Sequence, residues 1–127
     1  PLVYDWDKDR LLLTMDTPYY LNAVTKKDPC FLDHGNFFAT GSDDFRVYLW
    51  RLPPSLGASD SPVRLTDADV SLAGHRSVVN QCSYSSERTI LFSAGVERSI
   101  RVWSPFVLPG LQGLGGNQLA AEREDAD

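Results

Sequence analysis

The chain has 127 residues, about one domain's length, and its 43% hydrophobic and 23% charged content excludes wholesale disorder. With 12 basic against 17 acidic side chains and a net charge of −5, it lacks the basic excess by which nucleic-acid binders displace counterions, so no direct nucleic-acid partner is expected. The run Leu11-Leu12-Leu13 falls far short of the roughly 18 apolar residues of a membrane-spanning helix, and no membrane partner is expected either.

Strand signals dominate from the N-terminus onward. Leu2-Val3-Tyr4-Asp5 and the stretch from Leu11 to Met15 read as two strands around a polar loop. Within that loop Asp5, Asp7 and Asp9 have the spacing of a calcium loop. Arg10, however, stands where the sharp turn of such a loop needs Gly, so the segment reads as a solvated connection. Pro29-Cys30-Phe31-Leu32 is a weak strand signal, since Pro donates nothing to a ladder. Asp33-His34-Gly35-Asn36 is turn chemistry, which places His34 on the surface. Phe45, Val47 and Leu49 then alternate with Arg46 and Tyr48, the period of a strand ending at Trp50. The Pro- and Ser-rich stretch that begins at Pro53 has no periodicity and predicts a long loop over 53–69. Val70-Ser71-Leu72 is the next strand. Val78 to Tyr84 and Ile90 to Ala94 follow as two more, joined by Ser85-Ser86-Glu87-Arg88, and Ile100-Arg101-Val102-Trp103 is the last. After Trp103, Pro105 and Pro109 stop the ladder, and residues 106–127 read as a Gly-rich then acidic tail. Cys30 and Cys82 lie in no CxxC or CxxH spacing. They could form one bridge, but read as two reduced thiols of a cytoplasmic or nuclear protein.

The organising feature is an internal repeat. The segment Phe37 to Trp50 and the segment Ile90 to Trp103 share an apolar pair, a small hydroxyl residue, small turn residues, an acid and an alternating strand that ends in Trp. Their tryptophans lie 53 residues apart. That exceeds the ~40–45 residues of a propeller repeat of the WD type, and the stretch 53–69 supplies the insertion. Gly74-His75 precedes Trp103 by 28 residues. With it, His75, Ser93, Glu97 and Trp103 occupy the places of a hydrogen-bonded tetrad: carboxylate to imidazole, imidazole to hydroxyl, hydroxyl to indole. The first unit offers only a partial tetrad, Thr40, Asp44 and Trp50, because no Gly-His precedes it at the right distance.

On these residues the chain resembles a WD40-repeat β-propeller, and more narrowly the substrate receptors of cullin-4 RING ubiquitin ligases. The carrying segments run from Gly41 to Pro53, from Gly74 to Gln81 and from Ser93 to Pro105. The resemblance implies an all-β fold of antiparallel four-stranded sheets, here about two blades plus part of a third. Residues 1–16 would end an upstream blade, 17–73 would form a blade with its long loop, and 74–105 the last blade. Pro1 in place of an initiator Met fits a piece of a longer protein. The family bridges proteins: it docks on a ligase adaptor in the cullin-4 complex and presents a target protein. The resemblance therefore implies a non-enzymatic scaffold without cofactor, catalytic residue or metal ligand. These receptors contact the adaptor partly through a W-D-x-R motif, which neither Trp50-Arg51-Leu52-Pro53 nor Trp103-Ser104-Pro105-Phe106 matches, while Trp6-Asp7-Lys8-Asp9-Arg10 carries its Arg one residue late. Arg46, Arg98 and Arg101, set among aromatic residues, are the candidate partner-binding side chains.

Overall fold

The computed structural model describes residues 1–105; the tail expected over 106–127 lies outside the described residues. Ten strands follow one another: β1 Leu2–Asp5, β2 Arg10–Met15, β3 Cys30–Leu32, β4 Phe37–Gly41, β5 Arg46–Arg51, β6 Val63–Leu65, β7 Val70–Ala73, β8 Val79–Ser85, β9 Ile90–Gly95 and β10 Ile100–Trp103. Among the described residues there is no helix. The strands form three sheets in the orders β1-β2-β6, β3-β4-β5-β7 and β10-β9-β8.

Period-two alternation explains how the sheets stack. On β4 and β5, successive side chains point to opposite faces, and both faces of this middle sheet are buried. Ala39 and Val47 join Leu32, Leu72, Val79, Cys82, Leu91 and Trp103 in one apolar cluster against the third sheet. Phe38, Tyr48 and Trp50 join Val3, Leu13, Met15 and Leu52 in a second cluster against the first sheet. Trp50 and Trp103 therefore each close the third strand of a hairpin series and each face the sheet that precedes their own in sequence. Trp50 is fully buried and Trp103 nearly so. Edge-to-face contacts of Tyr20 with Tyr48 and with Trp50, at centroid separations of 5.9 and 5.8 Å, complete the second cluster.

Turn chemistry sits where the sequence puts it, with small offsets. Asp33, His34 and Gly35 all have positive φ in the β3–β4 turn, where His34 is exposed. The Asp5 carboxylate accepts the amides of Asp7 and Lys8, both at 3.1 Å, and so closes the β1–β2 turn as an Asx turn.

Two sequence expectations are corrected. Phe45 is not a strand residue: its φ of 72° puts it in the turn before β5, because Asp44 accepts the Arg46 amide and closes that turn first. The stretch 53–69 is not wholly a loop: β6 lies within it and pairs parallel to β2, Leu13 with Val63 and Met15 with Leu65. Three residues show no period, and what makes them a strand is the outer edge of β2, distant in sequence. As the propeller fold expects, the sheets are antiparallel, with three, four and three strands among the described residues; β2 with β6 and the isolated Asp28–Gln81 bridge are the parallel pairings.

The middle and third sheets are in backbone contact at Gly41. A Cβ placed there would lie 2.3 Å from the Val79 carbonyl oxygen on the next sheet, and backbone cannot step aside as a side chain tip can. Gly35, by contrast, has open space and only its φ of +84° to oppose a side chain. In the full-length protein, urea denaturation should show Gly41→Ala losing roughly 2–3 kcal/mol by overpacking and Gly35→Ala only about 1 kcal/mol. Equal losses would contradict this reading of the contact between the sheets.

Candidate functional site

The third sheet carries the His75 chain. β7 ends at Ala73, and Gly74 lets the indole edge come close: a Cβ at Gly74 would stand 3.0 Å from Trp103 Cη2. His75 Nδ1 then meets Glu97 Oε1, and its Nε2 lies 2.6 Å from Ser93 Oγ. Trp103 donates its indole N–H to the same Ser93 oxygen at 2.7 Å. The second Glu97 oxygen accepts the Arg76 amide at 3.2 Å, and the Glu97 amide donates to Ser77 Oγ at 2.9 Å. All four residues named from spacing are thus brought together by β9, β10, the turn between them and the β7–β8 connection. Glu97, one methylene longer than Asp, still reaches the imidazole.

Electrostatics fixes the proton. Burial holds the His75 pKa below the ordinary histidine value against the opposing pull of Glu97, and the charge of Arg101 acts in the same direction as burial. The Glu97 carboxyl is held below its usual range: burial opposes this, but the hydrogen bonds from His75 and Arg76 and the Arg101 charge outweigh it. The consistent assignment is an ionised Glu97 accepting from Nδ1–H, a neutral ring, and Ser93 O–H donating to Nε2. Ser, His and an acid in this order resemble a nucleophile triad in residue type alone. Ser93 is buried and its oxygen already accepts the indole N–H, whereas a nucleophile must meet its substrate.

The middle sheet does not join Thr40, Asp44 and Trp50. Trp50 donates its indole N–H to Thr17 Oγ1 at 3.0 Å. Thr40 donates to the Gly41 carbonyl at 3.3 Å, and the Tyr48 hydroxyl donates to Asp44. The reason is visible along the chain. Thr17 stands two residues past the end of β2, as His75 stands two residues past the end of β7. It takes the indole directly, and Tyr20 fills the space beside it. Thr17 escaped the sequence reading because the connection from β2 to β3 is much longer than that from β7 to β8; counting from the end of the outer strand would have found it.

That longer connection is fastened by Asp43. Its carboxylate accepts the amides of Ala23 at 2.5 Å and Val24 at 2.9 Å and pairs with Lys27 Nζ at 2.6 Å, the two side chains being almost wholly buried. Lys27 Nζ also donates to the Thr25 carbonyl at 3.0 Å. Burial works against the Asp43 charge, but Lys27 and the two amides hold its pKa below the usual range. Asp28 continues across to the third sheet, where its amide donates to the Asn80 carbonyl at 2.7 Å and its own carbonyl accepts the Cys82 amide at 2.9 Å.

The three candidate arginines differ in setting. Arg46 donates to Ser71 Oγ at 3.2 Å across the β5–β7 pair, and Arg101 is half-buried beside the His75–Glu97 pair. Only Arg98 of the three is exposed. Cys30 and Cys82 are free thiols, and burial pushes them up to about 11 and about 12. Among the described residues no three His, Cys, Asp or Glu side chains gather as a metal site, and no helix is long and apolar enough to cross a membrane.

Because His75 is held neutral, its folded pKa lies below its unfolded one, so the unfolded state takes up protons first on acidification. Its contribution is complete above about pH 6.5 and is lost as pH falls below that value. Thermal midpoints of the full-length protein between pH 7 and pH 5 should fall more steeply than those of His75→Gln. Parallel slopes would count against a neutral, buried ring.

Residues 19–51 and 69–104 match the WD40 family (WD domain, G-beta repeat). The chain is 36% identical over 114 residues to DDB1- and CUL4-associated factor 5 of Homo sapiens, covering 89% of this chain and 12% of that protein, and 35% identical to its Mus musculus counterpart. Protein HIR1 of Cryptococcus neoformans is 29% identical over 111 residues, 72% of this chain and 13% of that protein. The chain thus spans only about an eighth of the length of the curated relatives it matches. Among solved structures, a chain of the Chaetomium thermophilum Polycomb Repressive Complex 2 superposes with a TM-score of 0.63 at 17% identity, over 77% of this chain and 21% of that one, and so shares the fold. With both Trp-ending repeats matched and the sheets stacked face to face, the chain belongs to the WD40-repeat family of β-propeller proteins.

Proposed function

We propose that this chain is part of a substrate receptor for a cullin-4 RING ubiquitin ligase, acting in the cytoplasm or nucleus as a scaffold that performs no bond-making step itself. The observation that carries the reading is the 36% identity to DDB1- and CUL4-associated factor 5 across 89% of the chain. In this reading 1–16 ends an upstream blade, 17–73 is a blade with its long insertion at 53–69, and 74–105 is the last blade. His75, Ser93, Glu97 and Trp103 brace the last blade, since each buried polar atom of that set finds a partner, and Thr17 with Trp50 does the same for the blade before. The partner-binding role falls to Arg98, whereas Arg46 and Arg101 support the sheets.

The similarity to HIR1 favours a second reading, a WD40 scaffold in an unrelated assembly. Affinity purification of the full-length protein from its own cells separates the two. The ligase reading expects the DDB1-type adaptor and cullin-4 in stoichiometric amounts; their repeated absence, with another stable complex in their place, would transfer the protein to the second reading.

A further inference from the structure

At the end of the sheets where β4 turns into β5 and β9 into β10, the two signs of charge are used differently. Asp43 is enclosed by Lys27 and two amides, Asp44 takes the Tyr48 hydroxyl and the Arg46 amide, and Glu97 takes His75 and the Arg76 amide. These carboxylates are engaged inside the fold. Lys26, Arg76 and Arg98 are exposed, and none of the three has a side-chain partner among the described residues. A chain of net charge −5 thereby turns three cations outward at this end against one exposed carboxylate, Asp28.

The three cations surround one turn. Arg76 is tied by its amide to Glu97, the neighbour of Arg98. Lys26 lines, with the exposed Asp28 and with Asn80, Gln81, Ala94 and Gly95, a polar recess of about 400 Å³ beside the same turn. Two apolar side chains stand among them: Val96 is 65% exposed and Val24 is 69% exposed.

We propose that this end docks an extended segment of a partner protein in which acidic and apolar residues alternate. Its carboxylates meet Lys26, Arg76 and Arg98, and its apolar side chains cover Val24 and Val96. The proposal rests on the scaffold reading above and names the chemistry of what the scaffold holds. Charge complementarity selects this occupant. Screening confines each charge to about 8 Å at physiological salt, so a short segment responds to the local cations and not to the net charge. A long polyanion would extend past this turn over a surface of opposite preference, which disfavours nucleic acid.

Fluorescence anisotropy with the full-length protein and a short labelled peptide alternating Asp with Leu tests it. Binding should weaken on the order of tenfold or more in Arg76→Glu/Arg98→Glu, and with added salt. Arg88→Glu, exposed in the β8–β9 turn at the other end of the sheets, should leave it unchanged, and a peptide with Lys in place of Asp should not bind. Circular dichroism of each variant verifies that it is folded. No binding, equal loss in Arg88→Glu, or duplex DNA bound through Arg76 and Arg98 while the peptide is ignored would overturn the proposal. If the adaptor still co-purifies in those cases, only this inference fails; if wild-type protein lacks the adaptor, the ligase reading fails independently.

Discussion

The structure depends on burying both faces of the middle sheet at once. A four-stranded sheet this small has no interior of its own, so its alternating residues need a neighbour on each side. Ala39, Val47 and Leu72 meet the third sheet, while Phe38, Tyr48 and Trp50 meet the first. The large indoles fill the wedge between sheets, and each then needs an acceptor for its N–H in an apolar setting. Ser93 and Thr17 are those acceptors. The hydrogen-bonded sets follow from the packing: they satisfy the polar atoms that stacking removes from water.

The same constraint explains what surrounds the stack. Gly41 lies where the backbones of the middle and third sheets touch, and the Asp43 loop and Asp28 run across from the middle sheet to the third. On the far side β6 lies along β2, with Arg10 donating to the Gly57 carbonyl at 2.5 Å and Arg64 pairing with Asp16 at 2.6 Å. The inserted connection thus covers an outer strand that would otherwise present its ladder groups to solvent. What remains outward beside the β4–β5 and β9–β10 turns includes Arg98, Val96 and Phe45, part of the surface proposed above to hold another chain.

Much of this was legible before any coordinates. Period two and the two Trp-ending segments identified β4, β5, β9 and β10, and the spacing of Gly74-His75 from Trp103 identified the His75 set. Sequence could not show features that are made by contacts distant along the chain. β6 exists because β2 offers it an edge, and Thr17 meets Trp50 because Tyr20 and a longer loop reshape the place that His75 fills in the next repeat. Phe45 matched the alternation of β5 yet belongs to its turn, because a single apolar residue at a strand start cannot reveal its φ. Arginine among aromatics does not separate a side chain that braces a sheet, such as Arg46, from one that faces outward, such as Arg98.

The central claim is that one sheet is covered on both faces, and paired truncations test it most directly. In the full-length protein, Leu72→Ala empties space toward the third sheet and Phe38→Ala toward the first. Denaturant unfolding should show losses of roughly 2–5 and 3–5 kcal/mol respectively. If either substitution costs less than about 0.5 kcal/mol, the range of solvent-facing positions, that face is open to water and the stacked arrangement is wrong.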